Sequence, residues 1–476
     1  MKMNDHSPLP SVSASLKLLL CLATAAVAIA AAPTILRAAG AGDSSFYLKE
    51  GDRVCFYGDS ITEQRFYGVD VESYVRTRFP KLQVEFVNSG VGGDKVTGGW
   101  AGDIDLRLSR DVFPFKPNVI TIMLGMNDAR YRAFDPDIFS VYTNGYEHII
   151  ESLQANLPGV RIVLIEPSPY DDATEPPNFS GGYNSVLLRY SAFVRELARR
   201  HGLQCVDFNK PLVDVMQKAF AQNPALSHGV IPGRVHPSAI GELVMAQALL
   251  RAWNAPATVT AVTVNAHRAT ATKSENTTVS DIKTDGHILS WTQNDGCLPF
   301  PILALHDDWP QFPPYSNSRN GTSFVWQIPA PNWSQTNKLS EMVLRDSGFY
   351  KDLDRETLVV TGLARGNYQL KINDQDIGEF TAKELRHGVN LAKYHTPMLE
   401  QSYRELALVW KQVQWRFFAW RDIQLKLSHD QNPAVQKATE DLVNALDNQI
   451  QDLVKKQYDA AAPQTSHYEL IPVPGP

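Results

Sequence analysis

Between about residues 45 and 255 the chain alternates short, continuously apolar runs with longer amphipathic segments. "RVCFYG", "QVEFVN", "VITIMLG", "RIVLIEP" and "LQCVDF" read as strands. Among the segments between them, "VESYVRTRF" puts Val71, Tyr74, Val75 and Phe79 on one helical face. "IFSVYTNGYEHIIESLQAN" and "LLRYSAFVRELARRHG" are long enough for further helices. Strands that are apolar throughout and separated by helices predict a parallel sheet covered on both faces. Such a sheet carries its ligands at the carboxyl ends of its strands, so the residues at those ends become the first place to look for chemistry.

The rest of the chain has a different texture. A length of 476 residues implies two or three domains. After Trp253, "PATVTAVTVNAHRATATKSENTTVSDIK" alternates in strand fashion, and "TLVVTGLARGNYQLKINDQDIGEF" suggests short strands joined by turns. Residues 256–395 are therefore expected to form a mainly β accessory domain, with a loop-like stretch at 300–335 rich in proline and asparagine. Residues 396–459 read as two helices joined around Pro433, a helical hairpin packed on the rest. The segment 460–476 is expected to be a partly mobile tail.

The first 39 residues stand apart as well. Lys2 and Lys17 precede an apolar stretch from Leu18 to Ala32, and small residues follow, the pattern of a secretory signal peptide. The apolar run falls short of the roughly 20 residues of a membrane span. A leucine directly before Cys21 argues against lipid attachment there. Export to the periplasm or medium, with no stable membrane span after leader cleavage, is the expectation. Cleavage leaves Cys55, Cys205 and Cys297, an odd number without metal-ligand spacing. A net charge of −6 and the lack of any basic block argue against a nucleic-acid partner.

Four polar groups mark the ends of the α/β strands. Ser60 follows "RVCFYG" directly, after Gly58 and Asp59. A serine in that place is a turn residue, a helix cap or a nucleophile, and the last role needs a base. His236, in "GRVHPSAIGELVMAQALLRAW", precedes a helix with Pro237 in its first turn. The positive end of that helix would favour the neutral imidazole that a general base requires. "VNSGVGGDKV" supplies Gly90, Gly92 and Gly93, whose backbone N–H groups have the freedom to face a ligand. "MLGMNDAR" places Asn127 after the third strand. Acyl transfer needs donors of this kind, aimed at a developing oxyanion.

Taken together, "YGDSITE", "NSGVGGD", "LGMNDA" and "VHPSAIGELVMA" resemble the four motifs of the SGNH (GDSL-like) hydrolases over about residues 50–255. The resemblance implies a three-layer flavodoxin-like α/β fold and esterase or acylhydrolase activity without a cofactor. It makes Ser60 the nucleophile and His236 its base. It gives the oxyanion hole to the N–H groups of Ser60 and Gly93 and the side chain of Asn127. One position departs from the family pattern. An aspartate usually stands three residues before this histidine, and here that residue is Gly233. The acid of a triad fixes the imidazole tautomer and stabilises the imidazolium. Its absence leaves three readings: a Ser-His dyad oriented by a backbone carbonyl, an acid from elsewhere such as Asp207, or weak or lost activity. The dyad is preferred because the other positions are all filled.

Tyr183 and Asn184, in "FSGGYNSVL", are possible substrate contacts, with loop and helix-start roles as the plainer reading. Trp410, Trp415 and Trp420 do not share one helical face at a spacing of five, so packing roles are expected for them. Neither a metal-ligand spacing nor a phosphate-binding loop is present in the sequence. The sequence thus points to an exported serine esterase acting on a small-molecule or glycan ester, acetylated carbohydrate or short-chain acyl. The competing reading is an inactive binding protein for cell-envelope glycans.

Overall fold

The computed structural model describes residues 45–285, 288–306, 328, 331–428 and 430–474. The expected leader at 1–39 and much of the loop-like stretch at 300–335 lie outside these residues. The apolar runs form β1 (Asp52–Gly58), β2 (Val84–Asn88), β3 (Val119–Met123), β4 (Arg161–Ile165) and the short β5 (Gln204–Val206). All pair in parallel, in the order β2-β1-β3-β4-β5. This is the flavodoxin-like order, which reverses its winding between β1 and β3 and opens a crevice there at the strands' carboxyl ends. Every residue of β3, the middle strand, is buried, as a sheet covered on both faces requires.

The covering helices are α1 (Ser60–Glu63), α2 (Phe66–Arg78), α3 (Ile104–Asp111), α4 (Pro136–Asn156), α5 (Gly182–His201), α6 (Asn209–Gln222) and α7 (Ala239–Ala252). The sequence expects α2 to bury one face, yet all of its residues are buried. Its outer side is covered by α8 (Pro397–Phe418), with the Phe66 and Trp410 rings stacked at 5.8 Å. Three of the four charged residues on α2 meet this burial by pairing, Arg76 with Glu72 at 3.2 Å and Arg78 with Asp354 at 3.4 Å, while burial drives the pKa of Asp70 up.

The strands after Trp253 form two sheets. β6 (Thr258–Asn265), β7 (Thr270–Glu275), β10 (Arg355–Thr361) and β13 (Val389–Asn390) make one, and the other contains β8 (Thr277–Thr284), β9 (Leu289–Asp295), β11 (Asn367–Ile372) and β12 (Gln375–Thr381). Val264, Val360, Trp291, Leu370 and Tyr468 from both sheets share one apolar core. α8 passes into a π-helical turn at Ala419–Gln424, and α9 (Pro433–Ala461) returns antiparallel to it after Pro433. The expected mobile tail proves otherwise. Thr465–Val473 forms β14, inserted between β9 and β11 with hydrogen-bonded neighbours on both sides. Its alternating residues Ser466, Tyr468 and Leu470 point into the core.

Candidate active site

β1 ends at Gly58, where a Cβ would lie 2.2 Å from Thr62 Oγ1 and 2.7 Å from the Met123 carbonyl oxygen. Only glycine allows so close a turn. Asp59 then caps α1, its Oδ1 accepting the Ile61 N–H at 3.0 Å. Ser60 opens the helix with 8% of its surface exposed. Its Oγ lies 2.8 Å from His236 Nε2, across 176 residues of sequence. That is the distance at which a neutral ring nitrogen accepts the hydroxyl proton. Burial pushes Asp59 up to about 8, and the nearby carboxyls of Asp128 and Asp94 push the same way.

The loop after β2 folds back against α1. The Val91 N–H donates to the Gly58 carbonyl at 3.0 Å, and a Cβ on Gly90 would sit 2.4 Å from the Glu63 nitrogen. Gly93 adopts φ +80° with nothing within 4 Å of a would-be Cβ, so conformation rather than space calls for glycine there. Fully buried Arg107 in α3 holds this loop from behind, donating to Asp94 Oδ2 at 2.7 Å and to the Ser89 carbonyl at 2.6 Å, and pairing with Asp111. Asn127 follows β3. Its Nδ2 lies 3.1 Å from the Asp94 carbonyl and 3.3 Å from Asp59 Oδ2, while the Tyr131 hydroxyl donates to its Oδ1 at 3.0 Å. The Asp94 carbonyl and the Asp59 carboxyl thus take up the two N–H groups of the amide in this structure.

His236 stands in the turn before α7. The helix starts two residues later than expected, with Ser238 as its first capping residue, and Pro237 precedes it. The Pro237 carbonyl accepts Gln64 Nε2 at 3.0 Å, which ties the histidine turn to the end of α1. Burial lowers the His236 pKa from its usual 6.5 and favours the neutral ring. Gly233 and Arg234 have φ of +65° and +74°, two left-handed residues in succession. Arg234 anchors the turn through Glu175 Oε2 at 2.8 Å and Asp172 Oδ1 at 3.6 Å, and its carbonyl accepts the Asp171 N–H at 2.9 Å. Asp207 spends its Oδ1 on the N–H groups of Asn209 and Lys210 at the start of α6, at 2.7 and 3.0 Å.

The structure thus brings Ser60, Gly93, Asn127 and His236 to one end of the sheet. It does not bring Tyr183 to a cleft. That side chain is buried beneath Tyr131, with ring centroids 5.0 Å apart, and donates its hydroxyl to the Met126 carbonyl at 2.6 Å. It supports the Asn127 turn from below. Asn184 serves the start of α5, its N–H donating to Asp172 Oδ2 at 2.8 Å and its side chain paired with Asn209. Two exposed aromatic residues flank the site instead: Trp100, 62% exposed, and Tyr131, 45% exposed. Only the placing of Trp100 in "TGGW", just after the glycine loop, could have signalled it from sequence. Cys55, Cys205 and Cys297 are free thiols. Among the described residues no group of His, Cys, Asp or Glu is placed to hold a metal ion, and no helix is long and apolar enough to cross a membrane.

A family model described as GDSL-like lipase/acylhydrolase matches residues 56–243. An acetylxylan esterase of Geobacillus stearothermophilus is 27% identical over 224 residues, which make up 43% of this chain and 94% of that relative. A GDSL esterase/lipase of Arabidopsis thaliana is 28% identical over 173 residues, 32% of this chain and 69% of that relative. Among solved structures, a gut microbial diltiazem-metabolizing enzyme superposes with a TM-score of 0.73 at 27% identity, covering 90% of this chain and 99% of the other. The likeness to that structure extends past the α/β part into the strands and helices that follow.

Proposed function

We propose, for a chain that belongs through residues 56–243 to the GDSL-like lipase/acylhydrolase family and is a serine ester hydrolase, that Ser60 and His236 act as a catalytic dyad through an acyl-enzyme. The observation that carries this reading is the 2.8 Å contact between Ser60 Oγ and His236 Nε2. His236 takes the hydroxyl proton as Ser60 attacks the ester carbonyl, then passes it to the departing alcohol. The Ser60 and Gly93 N–H groups hold the oxyanion, joined by an Asn127 N–H that gives up its 3.3 Å contact with Asp59, and water attacks the acyl-serine in the same manner. In place of an aspartate at 233, the turn anchored by Arg234 and by the Gln64–Pro237 hydrogen bond keeps the ring in position.

The substrate class is a short acyl ester, with acetylated carbohydrate preferred. The acetylxylan esterase relative supports that choice, and the exposed Trp100 ring beside the glycine loop offers a flat apolar face of the kind that packs on a sugar. Export follows from the leader-like start of the sequence. Hydrolysis of p-nitrophenyl acetate and of an acetylated xylo-oligosaccharide by the wild type and Ser60→Ala tests the reading. Ser60→Ala should lower kcat by about 10³-fold or more and abolish labelling by a fluorophosphonate probe. Equal turnover by both proteins would remove Ser60 from the chemistry.

A further inference from the structure

The glycine loop is gripped from outside the α/β part. α-Helical spacing in α8 gives way after Phe418 to the π-helical turn Ala419–Gln424, an element that is rare within helices and recurs at functional sites. This turn carries Trp420 and Arg421 to the far side of the loop. Trp420 Nε1 donates to Asp111 Oδ1 at 2.8 Å, and Asp111 pairs with the Arg107 that holds the loop's backbone. The Arg421 guanidinium reaches Glu63 Oε1 at 3.2 Å and stacks over the Trp100 ring with its Cζ 4.1 Å from the centroid. Glu63 ends α1, one turn after Ser60.

Both residues that Arg421 touches also touch Gly92. A Cβ on Gly92 would lie 2.8 Å from Glu63 Oε2 and 3.8 Å from Ser60 Cβ, so the carboxylate abuts the loop beside the serine. Burial raises the pKa of Glu63, and the charges of Arg421 and Arg65 and the Gly92 N–H oppose that rise. On the other side, Trp100 Nε1 donates to the Gly92 carbonyl at 2.8 Å. The Gly92 carbonyl and the Gly93 N–H belong to one planar peptide and point in opposite directions. Fixing the first aims the second.

We propose, resting on the reading of Gly93 as an oxyanion donor, that Arg421 is a positioning residue for ester hydrolysis. Through Glu63 and Trp100 it sets the plane of the Gly92–Gly93 peptide. The carboxy-terminal helices are then part of the catalytic unit. Because the oxyanion forms only on the way to the tetrahedral intermediate, misaiming one of its donors lowers kcat and leaves KM nearly unchanged.

The test measures kcat and KM separately on p-nitrophenyl acetate, in the full-length chain, for Arg421→Ala, Arg421→Lys, Trp100→Phe and the double variant Arg421→Ala/Trp100→Phe, with Ser60→Ala as the control. Arg421→Ala and Trp100→Phe should each lower kcat by about 10- to 100-fold with KM within about twofold. The double variant should be little worse than the poorer single one, since both act through one peptide. Arg421→Lys keeps the charge opposite Glu63 and should recover part of the loss. If Arg421→Ala fails to fold, Trp100→Phe carries the test alone, because it replaces the indole, with its N–H, by a phenyl ring at a residue that is 62% exposed. Unchanged kcat in Trp100→Phe, a rise in KM alone, or fully additive losses would overturn the proposal. Retained turnover in Ser60→Ala would instead sink the dyad reading on which it rests.

Discussion

As the proposed base, His236 must be neutral to accept the Ser60 proton, and burial of the ring lowers its pKa from the usual 6.5. A base with a lowered pKa stays deprotonated into more acidic solution. The acid limb of kcat/KM is therefore expected to have its midpoint below 6.5. A pH profile on p-nitrophenyl acetate measures it directly. A midpoint at or above 6.5 would mean that a negative charge acts on the ring more strongly than burial does. That Ser60, Gly93 and Asn127 come together was legible because each stands just after an apolar run and a parallel sheet gathers such ends, while His236 was marked by the helix that follows it. Tyr183 was misplaced because exposure depends on what packs above a residue, here Tyr131, and local sequence does not carry that. Arg421 was out of reach for another reason. Its partner Glu63 lies more than three hundred residues away, and a π-turn breaks the helical spacing that would have placed it on a face.

At the scale of elements, the turn before α7 carries Gly233 where the family pattern has an aspartate. Gly233 at φ +65° has open space around a would-be Cβ, so a substitution there meets backbone strain but no collision. Gly233→Asp should cost about 1 kcal/mol of stability, the usual penalty for a side chain in the left-handed region, read from the urea midpoint. Aspartate is among the residues that visit this region most readily, so the loss should not grow much beyond that. A loss of several kcal/mol would show that the turn cannot keep its shape around a carboxylate. Strands were the most legible elements, because a short run that is apolar throughout and bounded by turn residues suits a buried strand better than a helix. α2 was read as one-sided because the residues that cover its outer face come from α8, far along the chain. β14 had its alternation of Ser466, Tyr468 and Leu470 in plain view, and it was the proline and alanine content of the segment and its place near the end of the chain that suggested a mobile tail.

At the scale of the whole molecule, the described residues from Ser45 onward pack as one unit, and the α/β part is closed by elements that the accessory region supplies. The acetylxylan esterase relative covers 94% of its length with 43% of this chain, so a related core stands there without so large an addition. Here the surface of α2 has been built to be covered. Phe66 stacks on Trp410, Arg65 lies over the Phe417 ring at 3.9 Å, and buried Arg76 donates to Gln457 at 3.2 Å. Arg78, also buried, has its ion pair with Asp354 beyond the α/β part. Expressing 45–255 alone would expose these apolar rings, take Asp354 from Arg78 and leave Arg76 with Glu72 but without Gln457. Leaving a large apolar side chain exposed rather than buried forfeits about 1.5–3 kcal/mol, against a total domain stability of about 5–15 kcal/mol. The fragment is therefore expected to lack a cooperative thermal transition and near-ultraviolet circular dichroism, while the chain from residue 45 onward shows both. A fragment that folded and hydrolysed p-nitrophenyl acetate at the full rate would mean that the glycine loop aims its N–H without Trp420 and Arg421, and that the carboxy-terminal helices serve some purpose other than catalysis.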